Sequence, residues 1–377
     1  MSTSHADEDN RRTVDLKAIY LTTLERCAPE VLVREHVDAG MPRNVVAIGK
    51  CAGSLLDGVA SVLEIESAFV AIPDGYKLPA TQTELHTGGH PHITAASFAA
   101  GRALLEYLRT HEDILFVISG GGSACVEVAL APYTESDVAE ANARLIASGM
   151  TIGEINRERR RRSAIKGGRL ASYVRGRAVT LVYSDVSTNA AYDVASGPMP
   201  GPMVIADNTT LVRTAAQIIG DNAVVVDEQL EGDVLHTARE LAARAHTLDG
   251  PRMLVAGGEP TVAVKGDGRG GRCSELAVRF ALESACEALF ASSDGVDGNS
   301  GVAGFYLPPR QRPSAPAGAE AALNASNSYT VAAQIGEPIT IAPTGNNLRD
   351  LFLVARSQAQ GSQANAQAST TVNLAFR

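Results

Sequence analysis

ILFVISGGGSACVEV, residues 114–128, decides how this chain folds. The run ILFVIS is apolar without alternation, as expected of a strand buried on both faces. The loop SGGGS at 119–123 follows, and then ACVEVAL resumes an apolar pattern. Three consecutive glycines cost roughly 0.5–1 kcal/mol each relative to alanine. A loop of that kind admits either a close ligand or another backbone, and a tight structural turn is the plainer alternative.

The same grammar recurs along the chain. Strand candidates are NVVAIG 44–49, AFVAIP 68–73, AVTLVYS 178–184, RMLVAGG 252–258, TVAVKG 261–266, LFASS 289–293 and ITIAP 339–343. Helix candidates cover 51–63, 95–109, 136–149, 208–219, 233–246, 274–288 and 346–355. Strands alternating with helices predict an α/β fold with a parallel sheet, whose ligands collect at the carboxyl ends of the strands. A length of 377 residues predicts two domains. Gly250-Pro251 breaks a helical pattern, so the expected units are 14–247 and 250–356, with 357–377 a mobile tail ending in a weak edge strand, TTVNLAF. The four-proline stretch 307–320 reads as a surface loop.

A net charge of -9 argues against nucleic acid or an anionic membrane as partner. The start of the chain is polar and acidic rather than signal-like, and no run approaches a membrane span. Five cysteines without CxxC spacing suggest reduced thiols, so the expected location is cytoplasmic. Trp is absent and carries no message.

Glycines and charges meet where apolar runs end. Lys50 closes NVVAIGK; it is either a solvated lysine or a group that holds a phosphate. Lys166, Arg169, Lys265, Arg269 and Arg272 sit in or beside IKGGRLA and GGEPTVAVKGDGRGGR. Asp185 and Asp294 close two further runs and suit a metal or a general base, although Asp-Gly is also a common turn. Of the arginines at 157 and 159–162, most must be solvated or paired with Glu154 and Glu158, while one or two could fork onto a substrate anion. Bare amides, cations and carboxylates together suggest phosphoryl transfer with a divalent metal. Against this stands Gly266-x-Gly268-x-x-Gly271 with Asp294 following Gly271 by 23 residues, superficially a dinucleotide fingerprint. Arg269 and Arg272 in that loop favour phosphate binding instead.

NVVAIGK, GGHPHITAAS, VISGGGSACVEV, SAIKGGRLA, YSDV…ASGP, GGEPTVAVKGDGRGGR, SSDGVDG, NSY and APTGNNLRDL follow one another in an order that resembles the glycerate 2-kinase family (DUF4147 plus a C-terminal MOFRL domain) over roughly residues 14–356. The resemblance implies a Rossmann-like N-terminal domain, a smaller C-terminal α/β domain and an active site in the cleft between them. It implies ATP- and Mg²⁺-dependent phosphorylation of the 2-hydroxyl of D-glycerate. By this resemblance Lys50, Asp185 and Arg272 are catalytic. Ser119, Gly120, Gly121, Gly122, Ser123, Lys166, Gly257, Gly258, Glu259, Gly266, Gly268, Arg269, Gly270 and Gly271 would hold ATP, and Asp185 and Asp294 the metal. The implied partners are ATP and a small acceptor, with no nucleic acid and no membrane, and a homodimer is compatible with the sequence.

The chain also departs from the family pattern. His90 to Ser97 lacks an Asp, Arg159 to Arg162 lacks a His, Ser187 to Ala190 lacks carboxylates, and Cys273, Ser274 and Gly301 replace larger or polar groups. These departures predict an altered acceptor pocket, with D-glycerate no better than a bulkier, specialised hydroxylated acceptor. The competing expectations are an NAD(P)-dependent hydroxypyruvate reductase and a non-catalytic small-molecule binder.

Overall fold

A computed structural model describes residues 15–186, 188–314 and 316–356; the expected tail and its edge strand lie outside them. The first sheet holds β1 (Asn44–Ile48), β2 (Ser67–Pro73), β3 (Glu84–Gly88), β4 (Glu112–Ser119), β5 (Arg175–Tyr183) and β6 (Met203–Ala206). All neighbours are parallel and the order is β3-β2-β1-β4-β5-β6, the order typical of dinucleotide-binding sheets. Continuous apolarity has the meaning the sequence suggested. Val45, Ala47, Leu115 and Val117 enter one buried cluster, while Val46, Ile48, Phe116 and Ile118 enter another on the opposite face, under the helix Ala95–Thr110.

The second sheet holds β7 (Ala223–Val225), β8 (Leu230–Asp233), β9 (Met253–Thr261), β10 (Glu287–Ser292), β11 (Gly304–Leu307), β12 (Glu337–Ile339) and β13 (Asp350–Ala355). Its order is β12-β11-β10-β13-β9-β7, with β8 beside β9. It is mixed, not parallel: β13 runs antiparallel to both β10 and β9, while β7 and β8 lie parallel to β9. The stretch 346–355, expected as a helix, is instead a loop followed by the strand β13 from Asp350 on, between β10 and β9. LFLV is apolar on both faces because helices and a shared core cover both, and so short a run has no period that separates helix from strand. TVAVKG, expected as a strand, leaves β9 at Thr261 and continues as a loop. The break at 247–251 is a turn inside the second sheet's region, since β7, β8 and the helix Val234–His246 before it already pair or pack with β9.

One core joins the two sheets. Leu115, Leu181, Val255, Leu289 and Leu351 belong to a single buried cluster, filled by the helices Leu16–Arg26, Ala52–Ala60 and Asn208–Ile219. Leu16–Arg26 acts as a strap. Its Tyr20 hydroxyl donates to the Ser292 carbonyl at 2.7 Å, and Asn346 Nδ2 donates to the Leu24 carbonyl at 3.1 Å. The five cysteines are free and buried, and no described helix is long and apolar enough to cross a membrane.

Candidate active site

The strand order of the first sheet reverses between β1 and β4, and a crevice opens at such a switch point. Gly49 lets the two strand ends close together, since a Cβ there would strike the Ser119 and Gly120 backbone. The Lys50 amide donates to the Gly120 carbonyl at 2.8 Å, and the Cys51 amide donates to Ser119 Oγ at 3.0 Å. Gly121, at φ 83°, leaves room for the Lys50 stem. Among the described residues the amides of Gly120 and Gly121 have no hydrogen-bond partner, and those of Gly122 and Ser123 open a helical turn. Free amides beside a lysine that makes no ion pair among the described residues are the kind of groups that can hold an anion.

Asp185, just past β5, lies against Gly120. Asn347 Nδ2 donates to its Oδ2 at 3.0 Å, and Arg349 Nε donates to its carbonyl at 2.9 Å. Burial raises its carboxyl pKa above the usual value, opposed by the charge of Lys50 and the Asn347 bond. Across the crevice, burial first and then the charges of Lys50 and Arg159 lower the His90 pKa to about 4, so its imidazole is neutral near pH 7.

Two cavities meet here. The smaller, about 120 Å³, is lined by His90, Gly120, Gly121, Asn156, Arg159 and Asp185 among others. The larger, about 800 Å³, is lined by second-sheet loops including Glu259, Gly266, Gly268, Gly270, Gly271, Arg272 and Arg349. Ile152 of the first half borders both. It opens the helix Ile152–Arg162, whose start is set by Thr151 and Glu154 in a reciprocal cap.

The predicted ATP residues divide. Ser119 and Gly120 to Ser123 lie at the switch point, and of these Gly120, Gly121 and Ser123 line the small cavity. Glu259 and Arg272 face the larger one; Arg272 forks onto Asp350 at 2.6 and 2.9 Å and also meets Glu259 at 3.1 Å, so its charge is already balanced. The amides of Gly266, Gly268, Gly270 and Gly271 line the large cleft but are bonded internally, to Ser326, Ala325, Asn299 and Ser274. These four glycine amides are therefore not free for a phosphate. The glycines instead let the loop press against Ala325 to Ser328. Arg269, expected on phosphate, lies 3.6 Å from the centroid of the Tyr329 ring and donates to Ser300. Gly257 and Gly258 lie inside β9, where they admit Asn208 and Leu230. Lys166 is 1% exposed and paired with Glu127, outside both cavities.

The metal expectation also divides. Asp294 Oδ1 accepts from Ser292 Oγ at 2.8 Å and from the Val296 amide at 2.9 Å, as a turn does. No group of three or more His, Cys, Asp or Glu that could hold a metal occurs among the described residues. Mg²⁺ is commonly held by one or two carboxylates together with phosphate oxygens and water. Asp185 fits that demand; a resident all-protein cage does not. Three of the departures fall away from the small cavity: Cys273 and Ser274 are buried at the start of the helix Arg272–Glu283, and Gly301 lies near Arg269. They do not widen the small cavity. The side chain of Asn189 lies outside the described residues.

The sequence missed His90, Ile152, Asn347 and Arg349. His90 follows β3 at a strand's carboxyl end, which was the available signal. Asn347 and Arg349 were hidden because 346–355 read as a helix.

A parallel six-stranded sheet in this order, joined through one core to a second, mixed sheet, defines a two-part α/β protein of the doubly wound class. Comparisons agree. The domain of unknown function DUF4147 matches residues 15–234 and the MOFRL family residues 252–350. The chain belongs to this DUF4147–MOFRL family, that of the glycerate 2-kinases. A glycerate 2-kinase of Sulfurisphaera tokodaii is 26% identical over 82% of this chain and 89% of its own. An Agrobacterium vitis protein named as a hydroxypyruvate reductase is 27% identical over 89% and 92%. The crystal structure of glycerate kinase from Thermotoga maritima superposes with a TM-score of 0.79 at 25% identity, covering 90% of this chain and 98% of that one.

Proposed function

We propose that this protein is an ATP-dependent kinase that phosphorylates a hydroxyl of D-glycerate. The observation that carries the reading is a small and a large cavity that share Ile152 in their linings, the small one lined by Gly120, Gly121 and Asp185 with the Lys50 stem beside Gly121. The 800 Å³ cleft has the size of a nucleotide site, and the 120 Å³ cavity that of a three-carbon acid. The transferred phosphoryl group then passes the junction. The acceptor hydroxyl oxygen bonds to phosphorus as the bond to the β-phosphate oxygen breaks, ADP leaves, and the hydroxyl proton passes to Asp185. Lys50 and the loop amides face the charge that spreads over the phosphoryl oxygens. Mg²⁺, brought in on the nucleotide and held by Asp185, would neutralise phosphate charge.

A small cavity untouched by Cys273, Ser274 and Gly301 favours D-glycerate over a bulky acceptor. The reductase reading loses its support in the Gly266–Gly271 loop. Asp294 follows β10, which β13 separates from β9, so it does not close the adjacent strand as a ribose-binding carboxylate would. The decisive assay follows ADP release with D-glycerate, sugar acids and aminocyclitol-like alcohols while recording NADH absorbance. ADP release with D-glycerate and unchanged NADH is expected; acceptor-dependent NADH oxidation without ADP would overturn the reading.

A further inference from the structure

Among the arginines of the helix Ile152–Arg162, Arg157 and Arg159 make no ion pair with a described residue; Arg157 is exposed to solvent, whereas Arg159 lines the small cavity. Arg160 pairs with Asp193, and Arg161 and Arg162 both pair with Glu158. Arg159 has no carboxylate within ion-pair distance among the described residues. Its Nε donates to Asn142 Oδ1 at 2.9 Å and its Nη1 to Asn156 Oδ1 at 3.4 Å, which leaves Nη2 without a partner. Two neutral amides thus aim a partly buried guanidinium into the small cavity. The nearest buried carboxylate, Glu127, is engaged by Lys166 and by Ser163 Oγ at 2.5 Å. Around this cavity Lys50, Arg159, Arg160 and Lys166 face Asp185, Asp193 and Glu127, four cations against three carboxylates, which leaves one positive charge in excess. A buried charge without a counter-charge is costly, and an anion in the cavity would supply the missing partner.

Helix geometry says which anion. Ile152, Asn156 and Arg159 follow i, i+4, i+7 spacing and share one face. Seven residues at 1.5 Å rise set Arg159 about 10 Å beyond Ile152, away from the nucleotide cleft. A phosphoryl group arriving from that cleft reaches Lys50 and the glycine loop first. We infer that Arg159, held by Asn142 and Asn156, recognises the carboxylate of the acceptor, and so selects 2-hydroxy carboxylates over uncharged polyols.

This inference rests on the kinase reading for its rate predictions, but binding tests it separately. D-glycerate and glycerol are titrated calorimetrically, without nucleotide, into the wild type, Arg159→Gln and Arg159→Lys. D-glycerate is expected to bind the wild type and to weaken about 10- to 100-fold in Arg159→Gln, the usual effect of losing a charged hydrogen bond. Arg159→Lys should fall between the two and stands in if the Gln variant does not fold. In turnover, KM for D-glycerate should rise by the same factor, KM for ATP should stay within about twofold, and the preference for glycerate over glycerol should collapse. Unchanged acid binding in a folded variant, or a rise in KM confined to ATP, overturns the inference. Arg159-dependent binding of the acid without any ADP formation would instead overturn the kinase reading and leave the inference standing.

Discussion

Asn347, on the approach to β13, donates its side-chain amide to Oδ2 of Asp185 at 3.0 Å, which ties the second sheet to the carboxyl end of β5. Arg349, held at φ 65°, binds the carbonyl of the same aspartate. Such a left-handed residue costs about 1–2 kcal/mol, and strained residues of this kind gather at functional sites. One carboxylate at the switch point is thus positioned from the opposite half of the molecule.

Asp185 should therefore govern the acid limb of the rate. Its pKa is raised, chiefly by burial, so it stays protonated to a higher pH than an ordinary carboxyl. The deprotonated form accepts the hydroxyl proton, so kcat/KM should rise as pH increases through that raised value. Asp185→Asn should lower kcat about 10²- to 10⁴-fold, the usual contribution of a positioned base. A pH–rate profile whose acid limb survives unchanged in the variant would assign the limb to another group.

Lys50 makes no ion pair among the described residues, so removing its charge should cost little stability. Lys50→Met is expected to lower kcat by about 10²- to 10³-fold, the loss typical of one preorganised donor to developing charge. Thermal melting should stay close to that of the wild type. Full turnover in the folded variant would reduce Lys50 to a surface residue.

Much of the first sheet was legible because its strands are buried on both faces, so ILFVIS and NVVAIG read as continuous apolar runs followed by glycine. The second sheet was less so. β7, β8 and β11 are three or four residues long, too short to carry a period, and β13 between two antiparallel neighbours looks like any buried apolar segment. Lys50, Asp185 and the SGGGS loop, which the sequence singled out as strand ends and glycines, do come together at the switch point. The sequence could not tell which glycines face solvent and which face backbone. Gly266 to Gly271 resemble a phosphate loop, but their amides are bonded to Ala325, Ser326 and their own turn.

Lys166 illustrates the same limit and gives a stability test. Burial pushes its ammonium pKa down while Glu127 opposes the shift, and both side chains are sealed from solvent. Lys166→Met leaves the Glu127 charge buried alone and should cost about 3–5 kcal/mol in urea unfolding. Replacing both, Lys166→Met with Glu127→Leu, should recover much of that loss, since an apolar pair of similar volume is often neutral or better. A stable Lys166→Met protein that fails to bind ATP would return Lys166 to the phosphate role its sequence context suggested.

Ile152 borders both cavities while leaving 56% of its surface exposed. If the large cavity holds the nucleotide and the small one the acceptor, as proposed, an apolar side chain so placed would narrow the way between them and limit water there. Ile152→Ala removes three carbons from that partition and enlarges the small cavity toward the cleft. One methylene in an apolar site discriminates by about 1–3 kcal/mol, or 10- to 200-fold. The variant should accordingly lose about tenfold or more in kcat/KM for D-glycerate and gain relative activity on longer hydroxy acids. ATP hydrolysis without acceptor should rise as water reaches the phosphoryl group. These effects are measured by ADP release with and without acceptor across hydroxy acids of increasing length. An unchanged acceptor preference together with unchanged background hydrolysis would show that Ile152 does not separate the two cavities during turnover.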